Sequence, residues 1–309
     1  MPHERWFYPF GFTLQLETNS PAIIAAAETS FGKFGAPPQS ANADWHFRFF
    51  AHKIDDGQLN PPIFRREGSL VYQTTGRDST LVVDTARGLA FGYFSPTILA
   101  NPAYFRWHFL ELACFLMLPP RGWLGVHAAA IVRNGRAILL RAASGGGKTT
   151  LAYSATRHGQ FQALAEEVTW LNITTATWRG LPWSFHLLPD AKNLFPELQP
   201  YQPILQTNGE LKLEVTLPDS KTATIAEAGP VVLVQRTPAQ RSRLERLDLA
   251  TAKPLWLAGA AGNEMEFPEY DRYIDNLLSQ AYQLYFGDDI DRAVDLLVEL
   301  TQWSPNLQI

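Results

Sequence analysis

The residues best suited to chemistry lie between positions 127 and 167. The run Ala-Ala-Ser-Gly-Gly-Gly-Lys-Thr-Thr (142–150) follows an apolar stretch and opens a helix-like one. Small residues at such a place let successive backbone N–H groups turn toward phosphate oxygens, and the helix that follows adds the positive end of its dipole. Ser144, Gly145, Gly146 and Gly147 would form this cradle. Lys148 would reach the β- and γ-phosphates, and Thr149, with Thr150 behind it in the first turn, would offer a hydroxyl to magnesium. The full Walker A pattern starts with glycine where this chain has Ala142. That departure is mild, because the first position governs the turn. The first expectation is therefore a P-loop that binds ATP with Mg2+.

Phosphoryl transfer also needs an acidic group to hold the metal or to accept a proton from the attacking hydroxyl. Glu166 and Glu167 stand in the next apolar run, 161–173, read here as a single strand. Neighbouring strand residues point to opposite faces, so one of the two should face the phosphates more directly. Two carboxylates in an apolar strand are costly to bury without a cation, and a solvated strand end is the plainer alternative. His127 is expected on the first strand, 126–133, of a hairpin turned by Asn134-Gly135, from which it could approach the loop. A satisfied core histidine is the competing reading. Arg236, Arg241 and Arg243 follow the apolar run 231–235, and any of them could neutralise charge on a transferred phosphate. A solvated loop accounts for them equally well.

The elements that must position these groups fall into two parts. Residues 1–120 alternate strands (6–16 and 45–50, both aromatic-rich, then 69–74, 80–84 and 89–94) with a helix near 98–118 that Pro119-Pro120 stops. This reads as an antiparallel α+β module. Residues 121–309 carry the hairpin, the glycine loop, a helix from Lys148 to about His158 with Gly159 as its C-cap, and strands at 161–173, 211–217 and 231–235. A tail helix from about Tyr270 places Ile274, Leu277, Leu278, Ala281 and Leu284 at helical spacing. A second helix covers roughly 289–302, with Asp288 as its N-cap. The fold class expected is α/β with this N-terminal α+β module.

Composition narrows the function classes. The chain has 309 residues, of which 46% are apolar and 18% charged, with 26 basic against 30 acidic side chains. A net charge of −4 and the lack of a cationic stripe argue against a nucleic-acid partner. A single cysteine, Cys114, excludes a disulfide framework and reads as a small buried hydrophobe. The mixed-charge N-terminus has no apolar signal segment. The most apolar long run, Phe105 to Leu118, is shorter than a membrane span of about 20 residues and carries Arg106, His108 and Glu111. A cytoplasmic protein without a membrane partner is expected, with homo-oligomerisation left open. The nine tryptophans read as core and interface groups.

The stretch 125–171, G-V-H-A-A-A-I-V-R-N-G-R-A-I-L-L-R-A-A-S-G-G-G-K-T-T-L-A-Y-S-A-T-R-H-G-Q-F-Q-A-L-A-E-E-V-T-W-L, resembles the catalytic core of HPr kinase/phosphorylase and its relatives. Members show a histidine on the strand before the P-loop, a loop of the form G-x-S-G-x-G-K-[ST], and Ala-Asp-Asp on the next strand. His127, Ser144, Gly145, Gly147, Lys148 and Thr149 match. Ala165, Glu166 and Glu167 stand for the alanine and acidic pair, with glutamate in place of aspartate twice. W-S-F-H-L-L-P-D-A (183–191) and V-V-L-V-Q-R (231–236) also look like shorter HPr-kinase-related proteins.

This resemblance implies a carboxykinase-like core and transfer of the ATP γ-phosphate to a serine hydroxyl. It further implies that one acidic residue helps deprotonate the acceptor and the other helps hold magnesium. Glu167 takes the base role and Glu166 the metal, with the reverse order as the alternative; His127 and Arg236 join Lys148 as catalytic candidates. The chain has no clear match to the Gly-Arg-Asn element of the bifunctional enzymes, so an acceptor other than HPr is expected. Short relatives of this kind occur in gene clusters for ribosomally made peptides, where they can phosphorylate a peptide serine. The leading expectation is thus an ATP-dependent kinase acting on a Ser or Thr hydroxyl of a protein or peptide. A catalytically reduced ATP-binding regulatory or assembly protein, and a small-molecule kinase on the same fold, are the competing classes.

Overall fold

The computed structural model describes residues 1–38, 42–55, 57–143, 145–206, 209–260 and 264–303. The chain forms two compact units, Met1–Gly122 and Trp123–Ile309. Both mix helices with sheets. Among the described residues no helix is long and apolar enough to cross a membrane.

The first unit is built on a seven-stranded sheet. Its strands are β1 (His3–Phe7), β2 (Leu14–Thr18), β3 (Trp45–Ala51), β4 (Ile63–Glu67), β5 (Leu70–Thr75), β6 (Ser79–Asp84) and β7 (Leu89–Phe94), in the order β1-β2-β3-β7-β6-β5-β4. The aromatic run 6–16 is two strands, because a 3-10 turn at Pro9–Gly11 interrupts it. The sheet is mixed, not antiparallel as the sequence suggests: β2, β3 and β7 run parallel. Parallel neighbours need a crossover, and helix α1 (Pro21–Phe31) lies in the connection from β2 to β3. Alternation along β3 buries Trp45, Phe47 and Phe49 and leaves His46 and Arg48 exposed.

The helix expected near 98–118 is broken. It consists of α2 (Pro96–Leu99), α3 (Pro102–Phe105), a π-helical turn at Arg106–Glu111 and α4 (Leu112–Met117). The residue before a proline is driven out of the helical region, and Asn101 accordingly sits at φ −115°, ψ 79°. Glu111 is buried, and Ser30 and Arg106 satisfy its carboxylate. Cys114 is buried and free.

The second unit holds the glycine loop. Its strands are β8 (Trp123–His127), β9 (Ala129–Arg133), β10 (Arg136–Arg141), β11 (Gln162–Ala165), β12 (Val168–Asn172), β13 (Thr177–Arg179), β14 (Ser184–Leu187), β15 (Ile204–Leu205), β16 (Leu211–Thr216), β17 (Ile225–Glu227), β18 (Val231–Arg236), β19 (Arg243–Arg246) and β20 (Ala281–Phe286). Ten of them join one sheet in the order β19-β20-β18-β10-β17-β13-β12-β8, with β9 pairing both β10 and β11. The remaining three form a small antiparallel sheet, β14-β16-β15. Helices α5 (Lys148–Arg157), α6 (Leu249–Ala258), α7 (Tyr270–Leu277) and α8 (Ile290–Trp303) complete the unit.

The central strands are apolar along their middles because both of their faces are covered. Ile138 and Leu140 of β10, Ile131 of β9 and Val232 of β18 pack into one core with α5, α8 and the small sheet. Ala137 and Leu139, Val132, and Val231 and Leu233 of the same strands pack into a second core with α6 and α7. Asn134 (φ 53°) and Gly135 (φ 79°) turn the β9–β10 hairpin in the left-handed conformation that such a two-residue turn requires.

Four expectations are revised. The strand expected over 126–133 breaks at Ala128: β8 pairs with β12, whereas β9 pairs with β10 and β11. The run 161–173 breaks in step with it, since β11 follows β9 and β12 follows β8. Glu166 and Glu167 therefore occupy a bend between two strands, not adjacent positions on one. The tail helix stops at Leu277. Ala281 and Leu284, though at helical spacing, lie on β20, parallel to β18, and enter opposite cores. Asp288 does not cap α8, whose start at Ile290 follows Asp289.

Because Leu140 is fully buried beside the loop, Leu140→Ala should remove about 2–5 kcal/mol of stability, read from denaturant unfolding of the full chain. A change under about 0.5 kcal/mol would contradict this double-sided packing.

Candidate functional site

The glycine loop leaves the carboxyl end of β10 and enters α5. Gly147 caps the helix at φ 90°, and a Cβ there would come within 2.5 Å of the Phe286 ring. Only glycine meets both conditions. The first intrahelical bond runs from the Leu151 N–H to the Gly147 carbonyl at 3.0 Å, and no side chain caps the turn. The amides of residues 148–150 thus have no acceptor within the helix and face forward with the positive end of its dipole. Ser144 lies outside the described residues. Gly145 also has positive φ (75°), and Lys148, Thr149 and Thr150 are half-buried in the first helical turn.

The break at Ala128 sends the end of β8 toward this turn. His127 Nε2 lies 2.9 Å from Lys148 Nζ. With an ammonium donating, the imidazole must be neutral at Nε2 to accept. Burial pushes the His127 ring down to about 4, helped by the Lys148 and Arg141 charges. Burial also lowers Lys148 from the usual lysine range, against the pull of Glu166 and Glu167.

Glu166 comes in from the matching break. Its Oε1 accepts a hydrogen bond from Thr149 Oγ1 at 2.9 Å, and its Oε2 lies 3.1 Å from His186 Nδ1. Burial alone would lower His186, but its hydrogen bond to Glu166 and the Glu166 charge raise it above its ordinary value. Glu167 keeps solvent access. Partial desolvation, followed by repulsion from Glu166, raises its carboxyl above the usual glutamate range. Strand β16 adds Lys212, ion-paired to Glu210 at 3.2 Å; its charge acts on His127, Lys148 and Glu167.

A further group lies beneath the loop. Arg141, the last residue of β10, is fully buried, with its guanidinium 3.8 Å from the centre of the Trp256 ring. Its Nη1 donates to Glu264 Oε2 at 2.9 Å and its Nε to the Trp256 carbonyl at 3.0 Å. The other oxygen of Glu264 accepts the His127 backbone N–H at 2.7 Å. One carboxylate thus joins the strand that precedes the loop to the strand end that carries His127.

The structure brings Gly145–Lys148, Thr149, Thr150, His127 and Glu166 to one place, with Glu167 next to Glu166. Arg236 ends β18 on the loop side of the sheet and is exposed; among the described residues its side chain makes no hydrogen bond or ion pair with the others. Arg241 is exposed. Arg243 lies over the Tyr285 ring at 3.9 Å and pairs with Glu245 at 2.8 Å, so it is already committed. Sequence reasoning missed Arg141, Glu264, His186 and Lys212. An arginine ending an apolar strand was the one available signal; its partner lies far along the chain.

No protein-family model matches this chain, and no curated protein matches it. Among solved structures, the HPr(Ser) kinase/phosphatase from Coxiella burnetii aligns with 58% of this chain and 93% of its own, at 12% identity and a TM-score of 0.26. A TM-score that low establishes neither a shared fold nor a shared reaction.

Two outcomes follow from this geometry. A histidine at about 4 when folded and near 6.5 when unfolded takes up its proton first in the unfolded chain. Stability is therefore lost as pH falls from about 6.5 toward 4, by at most roughly 3 kcal/mol. Denaturant unfolding across that window should show a shallower acid loss for His127→Gln; parallel curves would refute the neutral assignment. Glu264→Gln should cost about 3–5 kcal/mol, because it leaves the Arg141 charge buried without its counter-ion. A shift in denaturation midpoint too small to resolve would contradict the buried pair.

Proposed function

We propose that the second unit binds ATP with magnesium at the glycine loop and transfers the γ-phosphate to a Ser or Thr hydroxyl of a protein or peptide acceptor. The observation that carries this reading is the pair of hydrogen bonds at the start of α5. Lys148 Nζ meets a neutral histidine, and the Thr149 hydroxyl meets the Glu166 carboxylate at 2.9 Å. A cation, a hydroxyl and a carboxylate around uncapped helical amides form the group set that a nucleotide polyphosphate and its metal need.

The residues fit the implied groups. Gly145–Gly147 and the amides of 148–150 suit phosphate oxygens, because at Gly147 a Cβ would strike Phe286 and the amides have no helical partner. Thr149 and Glu166 supply hard oxygen ligands of the kind magnesium prefers. When bound, the metal offsets charge on the phosphate oxygens.

In this reading the chain's own groups act mainly by position and charge. His127 accepts from Lys148 and keeps its ammonium at the loop until phosphate oxygens replace the imidazole. Glu167, exposed and raised above the ordinary glutamate range, is the better proton acceptor of the acidic pair. It takes the proton of the acceptor hydroxyl. Arg236, exposed at the loop side of the sheet, is free to approach the transferred group. The resemblance to HPr-kinase-like proteins, read from residues 125–171, agrees with this assignment, and the lack of a clear match to the Gly-Arg-Asn element points to an acceptor other than HPr.

Incubation with magnesium, γ-labelled ATP and candidate serine-containing peptides tests the reading. Wild type should label an acceptor. Glu167→Gln should lower transfer by about 100-fold or more while retaining ATP binding, and Lys148→Ala should weaken binding itself. ATP binding without transfer to any acceptor favours the regulatory class, and transfer only to small molecules favours the third class. Failure to bind ATP or GTP with magnesium sinks all three.

A further inference from the structure

We propose that His186 is a positioning residue that holds Glu166 in its ligating orientation, a role that rests on the magnesium–nucleotide site proposed for the glycine loop. Glu166 is not held by strand pairing. It lies in the bend between β11 and β12, outside any strand ladder. A glutamate there would turn about three side-chain bonds, one more than an aspartate. In this protein both of its oxygens are taken. Oε1 is bound by Thr149 at 2.9 Å, and Oε2 lies 3.1 Å from His186 Nδ1. With a proton on Nδ1, the ring donates to the carboxylate.

The two partners come from elements that pack on one another. Thr149 belongs to α5. His186 belongs to β14, which pairs with β16 through Phe185↔Val215 and Leu187↔Leu213. Those four side chains and α5 residues Leu151, Ala152 and Tyr153 share one buried core, with the Tyr153 and Phe185 rings 5.7 Å apart. The small sheet and the helix thus fix the separation of imidazole and hydroxyl, and Glu166 spans it. A carboxylate whose second oxygen is tied keeps its first oxygen aimed. Aspartate, shorter by one carbon–carbon bond of about 1.5 Å, does not reach both partners from the same backbone. The longer glutamate and the histidine therefore work as a pair.

Binding of a fluorescent ATP analogue to the full chain, titrated with magnesium, tests this without measuring turnover. His186→Ala should raise the magnesium midpoint about 10–100-fold while leaving the metal-free affinity for the analogue unchanged. His186→Asn, whose amide can donate to the same oxygen, should recover most of that loss. Equal midpoints in wild type and His186→Ala overturn the proposal and leave the nucleotide site standing. Equal losses with and without magnesium also overturn it, since they mark a merely structural role. Should His186→Ala lose its fold by circular dichroism, Glu166→Asp decides: a midpoint like that of wild type overturns the pairing, and a raised one supports it. If wild type itself binds no analogue at any magnesium concentration, the proposed function fails, and the role of His186 fails with it.

Discussion

A charge at the end of a strand buried on both faces needs a buried partner, and β10 ends on Arg141. Its guanidinium has no access to water, and an unpaired ion in such a place is prohibitive. Glu264 neutralises it from a segment far along the chain, and the Trp256 ring covers its flat face. The same carboxylate takes the His127 backbone N–H. Satisfying one cation thus draws α6, the turn at Glu264–Glu266 and the end of β8 to the root of the glycine loop.

The break in β8–β9 is the second determinant. At Ala128 the backbone leaves one ladder for another, and side chains satisfy the groups that the ladder releases. Thr169 donates to the Ala128 carbonyl at 2.8 Å, and Glu264 accepts from the His127 amide. Partner strands follow the split, so β11 and β12 part opposite it and Glu166 and Glu167 fall in the gap. A continuous strand would have sent the two carboxylates to opposite faces of the sheet. The bend instead leaves Glu166 on Thr149 and Glu167 open to solvent. Two chemically identical residues thus stand in unequal surroundings.

Much of the fold was legible locally. The Asn134-Gly135 turn, the strand that runs into the glycines and the helix from Lys148 depend on conformational preferences within a few residues. The misreadings share a different cause. The runs 126–133 and 161–173 are mostly apolar, and strands covered on both faces carry no alternation to mark where one ends. Ala281 and Leu284 keep helical spacing with Ile274 and Leu277, yet lie on a strand, since parallel pairing with β18 outweighs a periodicity that short segments cannot hold unambiguously.

By itself the sequence determined the glycine loop and its helix, because three glycines, a lysine and two threonines constrain their own backbone and chemistry. It also marked His127 and the two glutamates as the groups most worth locating. Only the tertiary structure decided what each of them meets. Lys148 on His127, Glu166 between Thr149 and His186, and Glu264 between Arg141 and His127 are all contacts between separate strands, helices and loops. They depend on sheet pairing and on the pairing of buried charges, and neither leaves a local trace in the chain.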